Sequence, residues 1–178
     1  MSQPPDTGVG GILAARLRDV PDFPQAGILF KDITPLLADA TAFASVVGAL
    51  AAIAPDVDVV AGVEARGFLL AGAIARELNC GLVPVRKAGK LPPPTMRRSY
   101  ALEYGTAEVE VPVDVLDGAR VLLVDDVLAT GGTLRASADL ITEAGGQLVA
   151  LAVLLELAFL EGRAVLDGHA PLTALLTI

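Results

Sequence analysis

Two adjacent carboxylates and a run of glycine and hydroxyl residues carry the densest chemistry in this sequence. Asp125 and Asp126 close the apolar run Val121–Val124. Ala129, Thr130, Gly131, Gly132 and Thr133 come next, ahead of a helix-like segment from Leu134 to Ala144. The apolar run is short and partly β-branched, as a buried parallel strand is. A strand, a small-residue loop and a helix in that order form an anion cradle. Glycine lets the backbone approach closely, and the first N–H groups of a helix lack partners. Thr130 and Thr133 add hydroxyl donors. The two acids would repel a bare phosphate, yet they suit ribose hydroxyls or a Mg2+ carried by the ligand, directly or through water. The combination fits a sugar phosphate better than phosphate alone. An ordinary strand-to-helix turn also favours Asp, Thr and Gly, so residue types by themselves leave both readings open. No Gly-Lys-Ser/Thr follows at the spacing of a Walker A loop.

Three other stretches hold groups able to do chemistry. Arg66 lies in Glu64-Ala-Arg-Gly67, just after the strand-like stretch Asp58–Val63. Residues 87–106 hold Lys87, Lys90, Arg97, Arg98 and Glu103 around three consecutive prolines at 92–94. So long a stretch without a core pattern inside a compact domain is expected to be a lid or binding loop. Phe30, between Leu29 and Lys31, offers an aromatic face on which a planar ring can stack, with neighbouring backbone groups to read its edge. Composition alone equally places Phe30 in the core, Arg66 in a surface ion pair and Glu103 on a solvent-facing edge.

These groups need a scaffold, and the pattern around them supplies one. The chain has 178 residues, enough for one domain with a real core. Its apolar content is 53% and its mean hydropathy +0.62. The longest apolar stretch, Leu148–Leu155, is far short of the about 20 residues that span a bilayer. Helices are predicted over Gly11–Asp19, Thr41–Ala54, Phe68–Leu78 and Leu134–Ala144. Strands are predicted over Asp58–Val63, Leu82–Arg86, Val121–Val124 and Leu148–Leu155, with a half-exposed edge strand over 109–113 and a terminal apolar run over 172–178. Alternating strands and helices imply a mainly parallel sheet with right-handed crossovers. Residues 1–10 read as disordered. The single cysteine, Cys80, reads as a buried small residue, and the single histidine, His169, lies outside every motif. A net charge of −8 disfavours non-specific nucleic-acid binding. The N-terminus shows no secretory pattern, so a cytoplasmic location is expected.

The strand–acid–loop unit resembles the 5-phosphoribosyl 1-pyrophosphate (PRPP) signature of type I phosphoribosyltransferases. Four further pieces extend the resemblance over nearly the whole chain, and specifically to the adenine phosphoribosyltransferase family. They are Phe23-Pro24 with Phe30-Lys-Asp-Ile-Thr-Pro35, Ala61-Gly-Val-Glu-Ala-Arg-Gly-Phe68, Arg86-Lys-Ala-Gly-Lys-Leu-Pro92 and Tyr100-Ala-Leu-Glu-Tyr-Gly105. The resemblance implies an α/β fold of the type I phosphoribosyltransferase kind. Its twisted, mainly parallel sheet would be flanked by helices, with a flexible β-hairpin lid over residues 87–106 and a small N-terminal base-binding hood, all in one domain spanning 1–178. It implies transfer of the phosphoribosyl group from PRPP to adenine, with Mg2+ as cofactor held mainly by PRPP and water.

By the same resemblance, Ala129 to Thr133 would hold the 5-phosphate and Asp125 and Asp126 the ribose. Arg66, Lys87 and Lys90 would meet the pyrophosphate, and Leu29, Phe30 and Lys31 the adenine. Glu103 would handle the purine proton and Tyr104 would cap the site. A homodimer is implied, with neither nucleic acid nor membrane as partner. Arg97 and Arg98 match no role in the resemblance and read as a solvated face. Two rivals stay open: a transferase for another purine base, and a non-catalytic PRPP-sensing regulator. The second is disfavoured by the short stretch ahead of Phe23, too small for a DNA-binding domain.

Overall fold

The computed structural model describes residues 8–101 and 106–178. The first half runs through α1 (Val9–Ala14), β1 (Arg18–Pro21), β2 (Leu29–Asp32), α2 (Thr34–Ala38), α3 (Ala40–Ala51), β3 (Val59–Val63), α4 (Arg66–Leu78) and β4 (Gly81–Lys87). The second half adds β5 (Thr95–Ala101), β6 (Thr106–Pro112), β7 (Arg120–Leu128), α5 (Gly132–Glu143), β8 (Gln147–Glu156) and β9 (Leu172–Thr177). Two 3-10 turns, Ala158–Leu160 and Ala164–Leu166, lie between the last two strands.

A seven-stranded sheet in the order β5-β6-β4-β3-β7-β8-β9 carries the domain, and β1–β2 form a separate antiparallel pair. β4, β3, β7, β8 and β9 are parallel, while β6 pairs antiparallel with both β4 and β5. β7 is central, which explains why Val121–Val124 reads as an unbroken apolar run: both faces are covered. Leu122 and Val124 join α1, α3 and α4 in one core. Val121 and Leu123 join Leu140 and Ile141 of α5 in the other. Each fully buried leucine contributes about 1.5–3 kcal/mol, so the strand that carries the two acids is held from both sides.

Helix α4 comes close to the sheet because two glycines let it. A Cβ at Gly62 would lie 2.6 Å from that of Ala71, and one at Gly67 would lie 2.8 Å from the Val124 carbonyl oxygen. This brings Arg66, at the first turn of α4, over the ends of β3 and β7. Asn79, with φ +55°, ends the helix in the left-handed conformation expected of a C-terminal cap.

Several expectations need correction. The helix predicted over Gly11–Asp19 is shorter and earlier, and Gly8–Gly10 stand at its start instead of in a disordered tail; residues 1–7 lie outside the described residues. Arg18–Pro21 is a strand because β2 offers it charge partners. Arg18 meets Asp32 at 2.5 Å and Asp19 meets Lys31 at 2.7 Å, each pair directly opposite in register. β6 is an inner strand, with β5 at the sheet edge. Cys80 is only partly buried against the first core.

Candidate functional site

The carboxyl end of β7 opens into the predicted cradle. Asp125, Val127, Leu128 and residues 129–134 line a cavity of about 80 Å³. Gly131 holds φ +80°, a conformation that strains any residue with a Cβ. A Cβ there would also run into the Gly162 carbonyl and the Val165 side chain, and one at Gly162 would strike the Ala129 carbonyl. The loop is thus braced from the segment after β8. Among the described residues no side chain caps the N-terminus of α5, so its first amides are open to an anion.

Asp126 is 5% exposed and Asp125 half-buried. The Asp126 N–H donates to Asp125 Oδ1 at 2.8 Å. Burial, then the neighbouring Asp126 charge, pushes the Asp125 carboxyl well above the usual carboxylate range. Burial raises Asp126 as well, against the pull of Arg66. Asp126 Oδ2 lies 2.8 Å from Arg66 Nε, yet receives no aligned hydrogen bond from the described residues. The pair is an acidic centre with one nearby guanidinium and one buried oxygen, Asp126 Oδ2, that accepts no hydrogen bond from the described residues.

Arg66 connects this centre to the N-terminal β1–β2 hood. Its Nη1 donates to the Lys31 carbonyl at 3.0 Å, and its guanidinium carbon lies 4.7 Å from the centre of the Phe30 ring. Phe23 meets Phe30 edge-on at 5.1 Å. Phe30 is only partly exposed but belongs to neither core, and Leu29 beside it is 50% exposed. One arginine therefore touches the aromatic ring, its neighbour's backbone and the acid pair.

Lys87 and Lys90 are exposed, and their ammonium groups make no ion pair among the described residues. Their backbones are fixed by acids the sequence reading passed over. Glu64 accepts from the Lys87 N–H at 2.9 Å and sits 3.3 Å from Arg86 Nε. The Lys87 amide, with Arg86, lowers its carboxyl. Glu110 is fully buried. It accepts from the Lys90 and Leu91 amides, each at 2.7 Å, and from Arg97 Nε at 3.0 Å. Burial works against its charge, but the amides of Leu91, Lys90 and Gly89 and the Arg97 guanidinium hold its pKa down to about 2.

Arg97 and Arg98, expected to be solvated, are both ion-paired. Arg97 binds Glu110, while Arg98 reaches Asp139 at 2.9 Å and also contacts Glu143. Asp139 in turn lies 2.8 Å from His169 Nε2. Glu103 and Tyr104 lie outside the described residues. A larger cleft of about 1310 Å³ runs between the hood (Gln25, Ile28), the hairpin (Tyr100), the loop (Thr130) and the turns after β8 (Leu160, Val165). Leu160 and Val165 escaped the sequence reading. Their one signal is that they are apolar within a polar-bounded segment. Among the described residues no helix is long and apolar enough to cross a membrane.

Comparison with known proteins places the chain in a family. Residues 36–163 fit the model of the phosphoribosyl transferase domain. The chain is 60% identical over 172 residues to the adenine phosphoribosyltransferase of Kineococcus radiotolerans, covering 95% of this chain and 92% of the relative. It superposes with a TM-score of 0.91 on the crystal structure of the adenine phosphoribosyltransferase of Rhodothermus marinus, at 44% identity, covering 96% and 98% of the two chains. For the Saccharomyces cerevisiae enzyme, solved with adenine and an imino-altritol bisphosphate, the TM-score is 0.88 at 36% identity, covering 94% and 98%.

Proposed function

This chain belongs to the phosphoribosyl transferase family, and from that premise we propose that it joins adenine to PRPP, giving AMP and pyrophosphate. The cradle and the acid pair at the end of β7, and the Arg66–Phe30 contact that joins them to the β1–β2 hood, lie in sequence along the site. That order is the order of phosphate, ribose and base in the product, and it carries the reading together with the relatives' shared activity.

The 5-phosphate takes the amides and hydroxyls of Ala129 to Thr133. The ribose hydroxyls donate to Asp125 and Asp126, which relieves the mutual repulsion of the pair. Arg66 forks onto the pyrophosphate, with Lys87 and Lys90 adding positive charge. Once Arg66 is drawn to pyrophosphate, the Lys31 carbonyl it held at 3.0 Å is released to read the base edge, with Leu29. Phe30 supplies the stacking face. N9 of adenine forms its bond to ribose C1 as the bond from C1 to the pyrophosphate oxygen breaks, with inversion. Glu103 takes the purine proton, and Tyr104 helps keep water from the exposed C1. Most of the catalysis is positioning and stabilisation of the leaving group's charge.

The donor set fits Mg2+ in one way. The acid pair has one nearby guanidinium and one buried oxygen still to be satisfied, but no three ligating side chains come together among the described residues. Magnesium would thus be held by PRPP and water beside Asp125 and Asp126, and when bound it offsets the charge of the departing pyrophosphate.

A homodimer in the cytoplasm belongs to the same reading. Leu69 of α4 and Leu82 of β4 are 53% and 50% exposed. A Cβ at Gly72, one turn after Leu69, would lie 4.0 Å from Leu82 Cδ2, so the two leucines border one apolar face. Sedimentation should give twice the chain mass, and Leu69→Glu should shift it to monomer; a monomeric wild-type protein would remove the dimer.

The decisive experiment is product formation from PRPP and Mg2+ with each purine base in turn. AMP from adenine alone is expected. IMP, GMP or XMP as the main product would keep the PRPP site and overturn the base assignment, and no product with any base would favour a regulator.

A further inference from the structure

We propose that Tyr100 is a positioning residue for the 5-phosphate, acting through Thr133, and that Arg98 holds it there. The proposal rests on the phosphate occupying the Ala129–Thr133 loop.

Side chains of β5 alternate in their surroundings. Arg97 and Ser99 are exposed and engage Glu110 and Glu108 of β6. Met96, Arg98 and Tyr100 are partly buried, and Met96 and Tyr100 pack on the core that contains α5. From that face, the Tyr100 hydroxyl lies 3.1 Å from Thr133 Oγ1. Arg98 meets Asp139 at 2.9 Å and contacts Glu143 one turn further on. Two residues of strand span about 6.6 Å, whereas the six residues from Thr133 to Asp139 rise about 9 Å along the helix. The long arginine side chain makes up the difference. β5 is thereby fixed to α5 at two points, one of which is a residue of the cradle itself.

A threonine hydroxyl has one proton to give and lone pairs with which to accept. With phosphate in the cradle, Thr133 gives its proton to a phosphate oxygen and accepts the proton of Tyr100. A chain from Tyr100 to Thr133 to phosphate then polarises each bond in it. The effect runs both ways. Tyr100 makes Thr133 a better donor, and bound phosphate fixes the strand that leads, three residues later, to Glu103. The same contact makes the hairpin respond to occupancy of a site on a different element.

Ribose 5-phosphate binding, measured by calorimetry, tests the relay, since this ligand has the 5-phosphate but no pyrophosphate. Tyr100→Phe keeps the ring and removes the hydroxyl. It should weaken ribose 5-phosphate, and raise KM for PRPP, roughly threefold to tenfold, the worth of one hydrogen bond. Its kcat and melting temperature should stay near wild type. Adding Tyr100→Phe to Thr133→Ala should cost nothing further, because the relay is already broken. Arg98→Gln should show part of the loss and Arg98→Lys should restore most of it. Unchanged affinity in Tyr100→Phe, or losses that simply add in the double variant, would overturn the relay while leaving the proposed reaction intact. Failure of the wild-type protein to bind ribose 5-phosphate would overturn both.

Discussion

Two buried acidic centres stand at opposite ends of the site, and they titrate in opposite directions. Glu110, under the turn that carries Lys90, is ringed by backbone amides and Arg97, and its pKa is held at about 2. Asp125 and Asp126, at the end of β7, sit beside each other with one nearby guanidinium, and both are pushed up. Asp126 is nearly as buried as Glu110 and Asp125 is half-buried, but the supply of donors differs. A carboxylate whose oxygens are satisfied by its own chain fixes structure. A pair with a buried oxygen still to be satisfied, Asp126 Oδ2, is poised for what a ligand brings. The contrast separates the scaffold of the site from its working surface without reference to any bound molecule.

Replacing one acid at each centre should sharpen the contrast. Asp125→Asn should lower kcat/KM roughly a hundredfold, in the range seen when one aimed polar group at a reacting centre is lost. The same change should raise the melting temperature, by roughly 2–4 °C for each ~1 kcal/mol of repulsion removed. A variant that lost stability as well as activity would make the pair structural and end the distinction.

Glu110→Gln should do the reverse. It leaves buried amides with a weaker acceptor, so a loss of about 1–3 kcal/mol is expected. The visible signs are a lower melting temperature and a higher KM for PRPP, from a looser Lys87–Lys90 turn, with a smaller change in kcat. A fall in kcat as deep as that of Asp125→Asn would place Glu110 in the chemistry.

The smallest effect is in the pH profile of stability. The folded pKa of Glu110, about 2, is below its ordinary 4.5. Its contribution is therefore complete above about pH 4.5 and is lost as pH falls toward 2. The raised pKa of Asp125 acts with the opposite sign, destabilising the fold as pH rises above the ordinary 3.8. Denaturant melts from pH 2 to 7 should show the acid limb flattened in Glu110→Gln and the neutral limb lifted in Asp125→Asn. Identical profiles in the two variants would contradict the assignment.

The legible parts of this molecule were those written locally. Val121–Thr133 could be read as strand, acids, cradle and helix because each part is contiguous and its order has a physical logic. The helix stop at Asn79 and the two-sided burial of β3 and β7 were legible for the same reason. What escaped depends on partners far along the chain. Arg98 read as solvated because Asp139 and Glu143 are 41 and 45 residues away. The strand over 109–113 read as half-exposed because alternation shows which residues share a face, but not that both faces of β6 are covered. Leu13 and Leu17 fit a helical stripe, and only the cross-strand pairs of Arg18 and Asp19 with β2 make the end of that stripe a strand.

The close approach of Gly131 to Gly162 has a consequence for anyone wishing to redesign the enzyme. The loop that would grip the phosphate and the turns that carry Leu160 and Val165 are in backbone contact, with no room for a side chain at either glycine. They behave mechanically as one part. Widening the cleft for a bulkier base by shifting those turns would deform the cradle in the same stroke. Library diversity is better spent on the hood, at positions such as Gln25 and Ile28, where the lining can be recut without moving the anchor.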